Sequence, residues 1–186
     1  MKAIITKASI DFADMDRHIY CEHQVTLARH PNETEERLMV RLIAYALNAP
    51  QTNANGELTF AKDLWNADEP CLWQKDLTGD VVHWIDVGHP DEKRILRYSA
   101  RSEKVSIYAY GTTAPEWWQH LASRITRSEN VAIWQFPAEQ SEALSVFVHR
   151  SINININIQD GAMWISDDAH SVEINLQCLR DCATEK

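Results

Sequence analysis

Val81 to Gly88, reading VVHWIDVG, narrows the fold more than any other segment of the chain. Its residues are apolar on both faces, as in a strand covered on two sides near the middle of a sheet. Pro90 follows at once and suits the first position of a helix, where a missing N–H costs nothing. Asp91 and Glu92 then complement the positive end of that helix. The helix is expected to run to about Ser102, and Val105 to Tyr110 reads as strand again. Strand, helix and strand with short joints make a right-handed crossover between parallel neighbours, so the chain reads as an α/β domain.

The remaining periodicities fill in the order. Residues 3–12 alternate, with Ile4, Ala8, Ile10 and Phe12 on one side and Lys7, Ser9 and Asp11 on the other. Ile19, Cys21, Val25 and Leu27 form a second row after a turn at residues 13–16, which predicts a half-buried antiparallel hairpin. A helix should follow, capped by Asn32 with Glu35 three places on, and apolar along Met39, Leu42, Ile43, Ala46 and Leu47. Glu33 and Arg37 stand four apart, as on an exposed face, and Asn48-Ala49-Pro50 ends the helix. Residues 51–56 read as loop, 58–60 as a short strand and 68–73 as another, bent at Pro70.

Beyond the crossover, Pro115 opens a helix carrying Trp117, Trp118, Leu121 and Ile125, and Val131 to Phe136 is strand. Residues 138–149 are expected to be helical, with Leu144, Phe147 and Val148 inward. Ile152, Ile154, Ile156 and Ile158 alternate strictly with Asn153, Asn155 and Asn157, predicting one buried and one solvated face. Asp160-Gly161 is a hairpin turn into Met163–Ile165, and Val172 to Leu176 closes the chain. The expected architecture is a mixed central sheet with flanking helices, an N-terminal hairpin and a C-terminal antiparallel meander. No repeat or linker divides it, so residues 1–186 read as one domain.

Composition excludes several functions. The opening MKAIITKASIDFADMD alternates and carries acids, unlike a signal peptide, and no apolar run approaches a membrane span. A cytoplasmic protein without a membrane partner is expected. The net charge of −9 argues against wholesale binding to a phosphate backbone, but not against a local basic groove or a metal-bridged site. Cys21, Cys71, Cys178 and Cys182 form no CxxC pair and read as small buried thiols. No phosphate-cradling, dinucleotide, nucleophile-elbow or HExxH motif is present, and the eight histidines show no zinc spacing.

What remains is acidic. Asp86 shares a strand face with Val82, Trp84 and Gly88, in a strand expected to be buried. A carboxylate there must meet a cation, a metal or strong donors. The ordinary partner is Lys93, Arg94 or Arg97 from the next helix, while the functional reading is a metal ligand at the strand's carboxyl end. Glu69, beside Asp68 and before Pro70, would bring a second carboxylate from a neighbouring strand, a set that suits Mg²⁺; alternatively the pair decorates a turn. Glu36 continues the buried stripe of the first helix, either at its mouth in solvent or aimed into a site.

The stretches DFADMDRHIY (11–20), TLARHPNETEERLMVRLIAYAL (26–47), LWNADEPCLW (64–73), WIDVGHPDEKRI (84–95) and IQDGAMWISDD (158–168) resemble the YaeQ family of bacterial proteins, in order and from end to end. That family in turn resembles the PD-(D/E)XK nucleases in fold, with a helix, three strands, a helix and a strand around the site. The resemblance implies that Glu36 is the acid of the first helix, that Glu69 or Asp80 is the first motif acid, and that Asp86 is the second. Gly88 stands where the motif lysine belongs, and Lys93 or Arg97 would have to replace it. In an active site, Glu69 and Asp86 would hold Mg²⁺, Glu36 would orient its water, and Lys93 or Arg97 would neutralise the phosphate of a nucleic acid. Without the lysine, the alternative is a non-catalytic interaction module, for nucleic acid or protein, that kept the fold.

Overall fold

In a computed structural model, which describes residues 3–61, 66 and 68–182, the chain forms two sheets rather than one. Leu64, Trp65 and Ala67 of the stretch 64–73 lie outside the described residues. The elements run β1 (Ile4–Asp14), β2 (Ile19–Arg29), α1 (Glu35–Asn48), β3 (Leu58–Phe60), β4 (Leu72–Lys75), β5 (Val81–Val87), α2 (Glu92–Arg101) and β6 (Ser102–Ala109). Then come α3 (Ala114–Leu121), β7 (Val131–Gln135), α4 (Ala138–Ala143), β8 (Ser151–Gln159), β9 (Ala162–Ser166), β10 (Ser171–Ile174) and β11 (Gln177–Arg180). No helix among the described residues is long and apolar enough to cross a membrane.

The expected mixed sheet is therefore corrected to a five-stranded sheet, β10-β9-β8-β1-β2, and a six-stranded one, β11-β7-β6-β5-β4-β3. The N-terminal hairpin and the C-terminal meander belong to the same sheet, because β8 pairs with β1 in parallel, Ile10 opposite Ile154. In the six-stranded sheet β5, β6 and β7 run parallel and β3, β4 and β11 are antiparallel additions. β11 has no counterpart among the expected strands, and its register shifts between Cys178 and Arg180.

The first helix holds the layers together. Leu38 through Ala44 are seven consecutive buried residues, so α1 is covered all round instead of along one stripe. One apolar core joins α1 to Ala8, Ile10, Ile152, Ile154 and Ile156 of the five-stranded sheet and to Ile85 and Val87 of β5. A second core lies on the other face of β5 and β6, where Trp84, Val105 and Ile107 meet Ile95 and Tyr98 of α2 and Leu121 of α3. The order is sheet, helix, sheet, helices.

Local signals are shifted at the helix ends. Thr34, not Asn32, caps α1, its hydroxyl accepting from the Arg37 amide at 3.1 Å. Asp91 caps α2 with its carboxylate, which places Pro90 just before the helix. The expected helix 138–149 is a short α4 continued by a 3-10 turn at Leu144–Phe147. Asp160 and Gly161 both have positive φ, 52° and 78°, the conformation a two-residue hairpin turn requires. The four thiols are unpaired, and Cys178 is exposed on an edge strand instead of buried.

The two faces of β8 should differ sharply under mutation. Ile156→Ala, at a site with no exposure, is expected to cost about 2–5 kcal/mol in urea unfolding, and Asn153→Ala on the open face less than about 0.5 kcal/mol.

Candidate functional site

Asp86 lies near the carboxyl end of β5 and is 6% exposed. Its Oδ1 accepts from the Val87 amide at 3.0 Å and from the Cys71 thiol at 3.2 Å. Its Oδ2 faces Arg94 Nη2 at 3.9 Å, and the Tyr98 hydroxyl bonds to the same carboxylate. Arg94 Nε in turn donates to the Tyr98 hydroxyl at 2.8 Å. The arginine partner is therefore Arg94, one turn of α2 away from Tyr98, as the ordinary reading of Asp86 expected.

Cys71 extends this pair into a chain of charges. Arg37 Nη2 approaches the same sulfur at 3.1 Å. Burial first, and the Asp86 carboxylate second, push the thiol up to about 12, so it stays protonated and donates to Asp86. Arg37 Nη1 donates to Glu33 Oε1 at 2.7 Å, and Arg41 Nη2 donates to Glu33 Oε2 at 2.7 Å and to the Ala28 carbonyl of β2 at 2.9 Å. Glu33 and Arg37, expected on an exposed face, instead enter the interior, with the Glu33 side chain 2% exposed. The signal available was Arg37 and Arg41 four and eight places after Glu33, a cationic row on one helix face.

The other candidate residues have surroundings of their own. Glu69 is half-buried in a turn, where Asn66 Nδ2 reaches its Oε1 at 3.5 Å and Asn66 O accepts its amide at 3.0 Å. Arg97 pairs with Asp68, and Lys93 is exposed in the first turn of α2. Asp80 belongs to the β4–β5 turn with Asp76 and Thr78, six strand residues and so about 20 Å from Asp86. Glu36 accepts from Ser141 of α4 at 2.6 Å. Among the described residues no three His, Cys, Asp or Glu side chains come together as a metal-ligand set. The donors around Asp86 are a guanidinium, a protonated thiol, a phenol and an amide, which fit an ion pair and not a hard cation seeking oxygen ligands.

Beside this chain of charges opens a cleft of about 480 Å³, at the carboxyl ends of the parallel neighbours β5 and β6. Open α/β sheets place ligands there. Gly88, His89, Tyr110 and Thr113 line it together with two acids, Glu36 and Glu142. Gly88 has φ of 112°, a conformation that strains any residue with a side chain, so the backbone itself disfavours a lysine at this position. His89 stacks on Trp117, centroids 5.3 Å apart, and burial depresses its pKa, which leaves a neutral imidazole. The Trp117 indole N–H is fixed by the Pro90 carbonyl at 3.0 Å. His89, Tyr110 and Thr113 were not among the candidates, since none belongs to a motif.

A family model described as YaeQ protein matches residues 1–176. The chain is 36% identical to the uncharacterized protein YaeQ of Escherichia coli (strain K12) and 37% identical to that of Salmonella typhi, over 95% of each chain in both cases. Its structure superposes on the crystal structure of YaeQ protein from Xanthomonas axonopodis pv. citri with a TM-score of 0.89 and 38% identity, covering 96% of this chain and 99% of that one. For the crystal structure of YaeQ protein from Pseudomonas syringae the TM-score is 0.87 and the identity 36%, covering 96% and 97%.

Removing the shared acid strands two arginines. Glu33→Ala is expected to lose about 3–5 kcal/mol of stability, measured by chemical unfolding, because a buried charge left alone costs more than the pair contributes. The raised thiol acts in the alkaline range: its stabilisation is complete below the ordinary thiol value of 9.0 and is lost as pH climbs toward about 12. Cys71→Ser should flatten the stability decline between about pH 9 and about pH 11. Native-state iodoacetamide should modify exposed Cys178 and spare Cys71.

Proposed function

The chain belongs to the YaeQ family, and we propose that it is a cytoplasmic, non-catalytic interaction module on a PD-(D/E)XK nuclease-like core, with the cleft at Gly88 as its binding site. The observation that carries this reading is the state of Asp86, whose two oxygens are already engaged by Cys71, the Val87 amide, Tyr98 and Arg94. The order α1, β3, β4, β5, α2, β6 supports the nuclease-like core, being the succession that the resemblance implies. What is missing is the chemistry: Glu69 is held in its own turn, and Gly88 offers no cation to a developing charge.

The cleft suits a protein segment better than a nucleic acid. A neutral imidazole, a phenol, a threonine hydroxyl and two acids accept hydrogen bonds and positive charge, and the net charge of −9 repels phosphate. Metal-dependent phosphodiester hydrolysis is the competing reading, with Mg²⁺ on Glu69 and Asp86 and with Lys93 or Arg97 as the cation.

Two measurements separate them. Incubation with single- and double-stranded DNA and RNA in Mg²⁺ or Mn²⁺ should give no cleavage above background, and Mn²⁺ titration no heat that Asp86→Asn removes. Metal-dependent cleavage abolished by Asp86→Asn and Glu69→Gln, both shown folded by circular dichroism, would establish the nuclease instead. Peptides selected on the protein from a random display library should lose roughly tenfold affinity with Glu142→Lys, a change of about 1.4 kcal/mol. Selected peptides indifferent to Glu142→Lys would count against the cleft.

A further inference from the structure

The five-stranded sheet buries one face on α1, and no element among the described residues covers the other; we propose that this outer face is a binding site for a neutral oligosaccharide. Strand register lines up its residues. Tyr20 of β2 lies opposite Ala13 of β1, Ala13 opposite Asn157 of β8, and Asn157 opposite Trp164 of β9. This row therefore carries aromatic rings on β2 and β9, three strand spacings or about 14 Å apart, and continues past Trp164 to Glu173 of β10. Tyr20 is 63% exposed and Trp164 36%, while the methyl of Ala13 keeps the floor between them low.

The next row holds Glu22, Asp11 and Asn155 in register, and the one after it Gln24, Ser9 and Asn153. Two hollows, of about 540 Å³ and about 430 Å³, lie over these rows and share Asp11 and Asn155, so they form one trough along the face. Gln24 is tied to Ser9 at 2.7 Å. Among the described residues, the side chains of Asp11, Glu22, Asn153, Asn155 and Asn157 have no hydrogen-bond partner.

The chemistry selects the ligand class. Each asparagine amide both donates and accepts, and each carboxylate accepts, which matches hydroxyl groups that do both. Flat aromatic rings on either side of Ala13 and Asn157 match the apolar C–H faces of sugar rings. A phosphate-bearing chain is disfavoured, because Lys7 is the one cation at the strand positions of this face, against Asp11, Glu22 and Glu173. A second copy of this chain is disfavoured too, since Asn157 separates the two rings and leaves no apolar centre for an interface.

Titration with maltohexaose, cellohexaose and chitohexaose, followed by calorimetry and by ¹H–¹⁵N spectra, tests the site. At least one should bind at millimolar concentration or tighter and shift the Trp164 indole and the Asn155 and Asn157 side-chain amides. Trp164→Ala should weaken that binding roughly tenfold. Asn155→Ala should weaken it as well, both variants keeping the parent melting temperature. Glu142→Gln, in the cleft, should leave it unchanged, so failure here is distinct from failure of the cleft. If none of the three binds at about 10 mM, or binding ignores Trp164→Ala, the proposal is overturned. Saturable binding of spermine, oligolysine or oligo(dT) to these same residues, without saccharide binding, overturns it equally.

Discussion

One carboxylate shared by two arginines fixes the centre of this molecule. Glu33 sits just before α1 and is bonded by Arg37 and Arg41, and Arg41 carries the link to the β2 backbone at Ala28. Taking Glu33 and Arg41 out of water costs several kcal/mol per ion, and Arg37 stays one third exposed, so the cluster adds little net stability. Its effect is geometric. It sets the entry of α1 between two sheets, where apolar packing on every side of the helix would otherwise tolerate rotation or sliding. Glu36, one residue past the start of that helix, is thereby held at the cleft, and Arg37 is held against Cys71.

The cluster also decides what kind of site the sheet can offer. Arg37, Arg41 and Arg94 supply three positive charges, Glu33 and Asp86 two negative ones, and the protonated Cys71 thiol none, which leaves one net positive charge. Placing a divalent cation on Asp86 would raise that to three, and the Arg94 guanidinium already faces the carboxylate from 3.9 Å. The backbone at Gly88 points the same way, since φ of 112° suits glycine and strains lysine. Asp86 and its neighbours are thus organised around a cation that the chain provides itself.

How much of this was legible depended on whether the controlling signal was local. VVHWIDVG, the N-terminal hairpin and the isoleucine–asparagine strand were readable because alternation is a property of neighbouring residues, and β5, β1–β2 and β8 are where that reading put them. The division into two sheets was not, because it turns on β8 pairing with β1, and nothing near Ile154 records Ile10 as its partner. Glu33 was misplaced for a related reason. An acid four residues before a base usually marks a solvated helix face, and only the layer above α1 makes it an interior pair. Cys71 left no trace, since a thiol between an arginine and a carboxylate is a tertiary arrangement. The YaeQ resemblance reached the fold more surely than the site, because end-to-end similarity constrains topology while chemistry rests on two or three side chains.

The open sheet face shows how a core can specify a surface without touching it. Ile152, Ile154 and Ile156 are fixed inward by the packing on α1, with exposures of 4% or less. A strand alternates strictly, so Asn153, Asn155 and Asn157 must then face outward at a repeat of about 6.6 Å. Slipping the register by one residue would bury three amides and expose three isoleucines, which the core energy forbids. The same argument holds for β1, where Ala8, Ile10 and Phe12 point inward and so present Ser9, Asp11 and Ala13 beside the asparagines. The backbone positions that carry donors and acceptors on the outer face are therefore fixed by the core beneath them. A fixed backbone spares a weakly binding, hydroxyl-rich ligand the ordering of the strands, so that only side-chain torsions are left for the protein to lose when it binds.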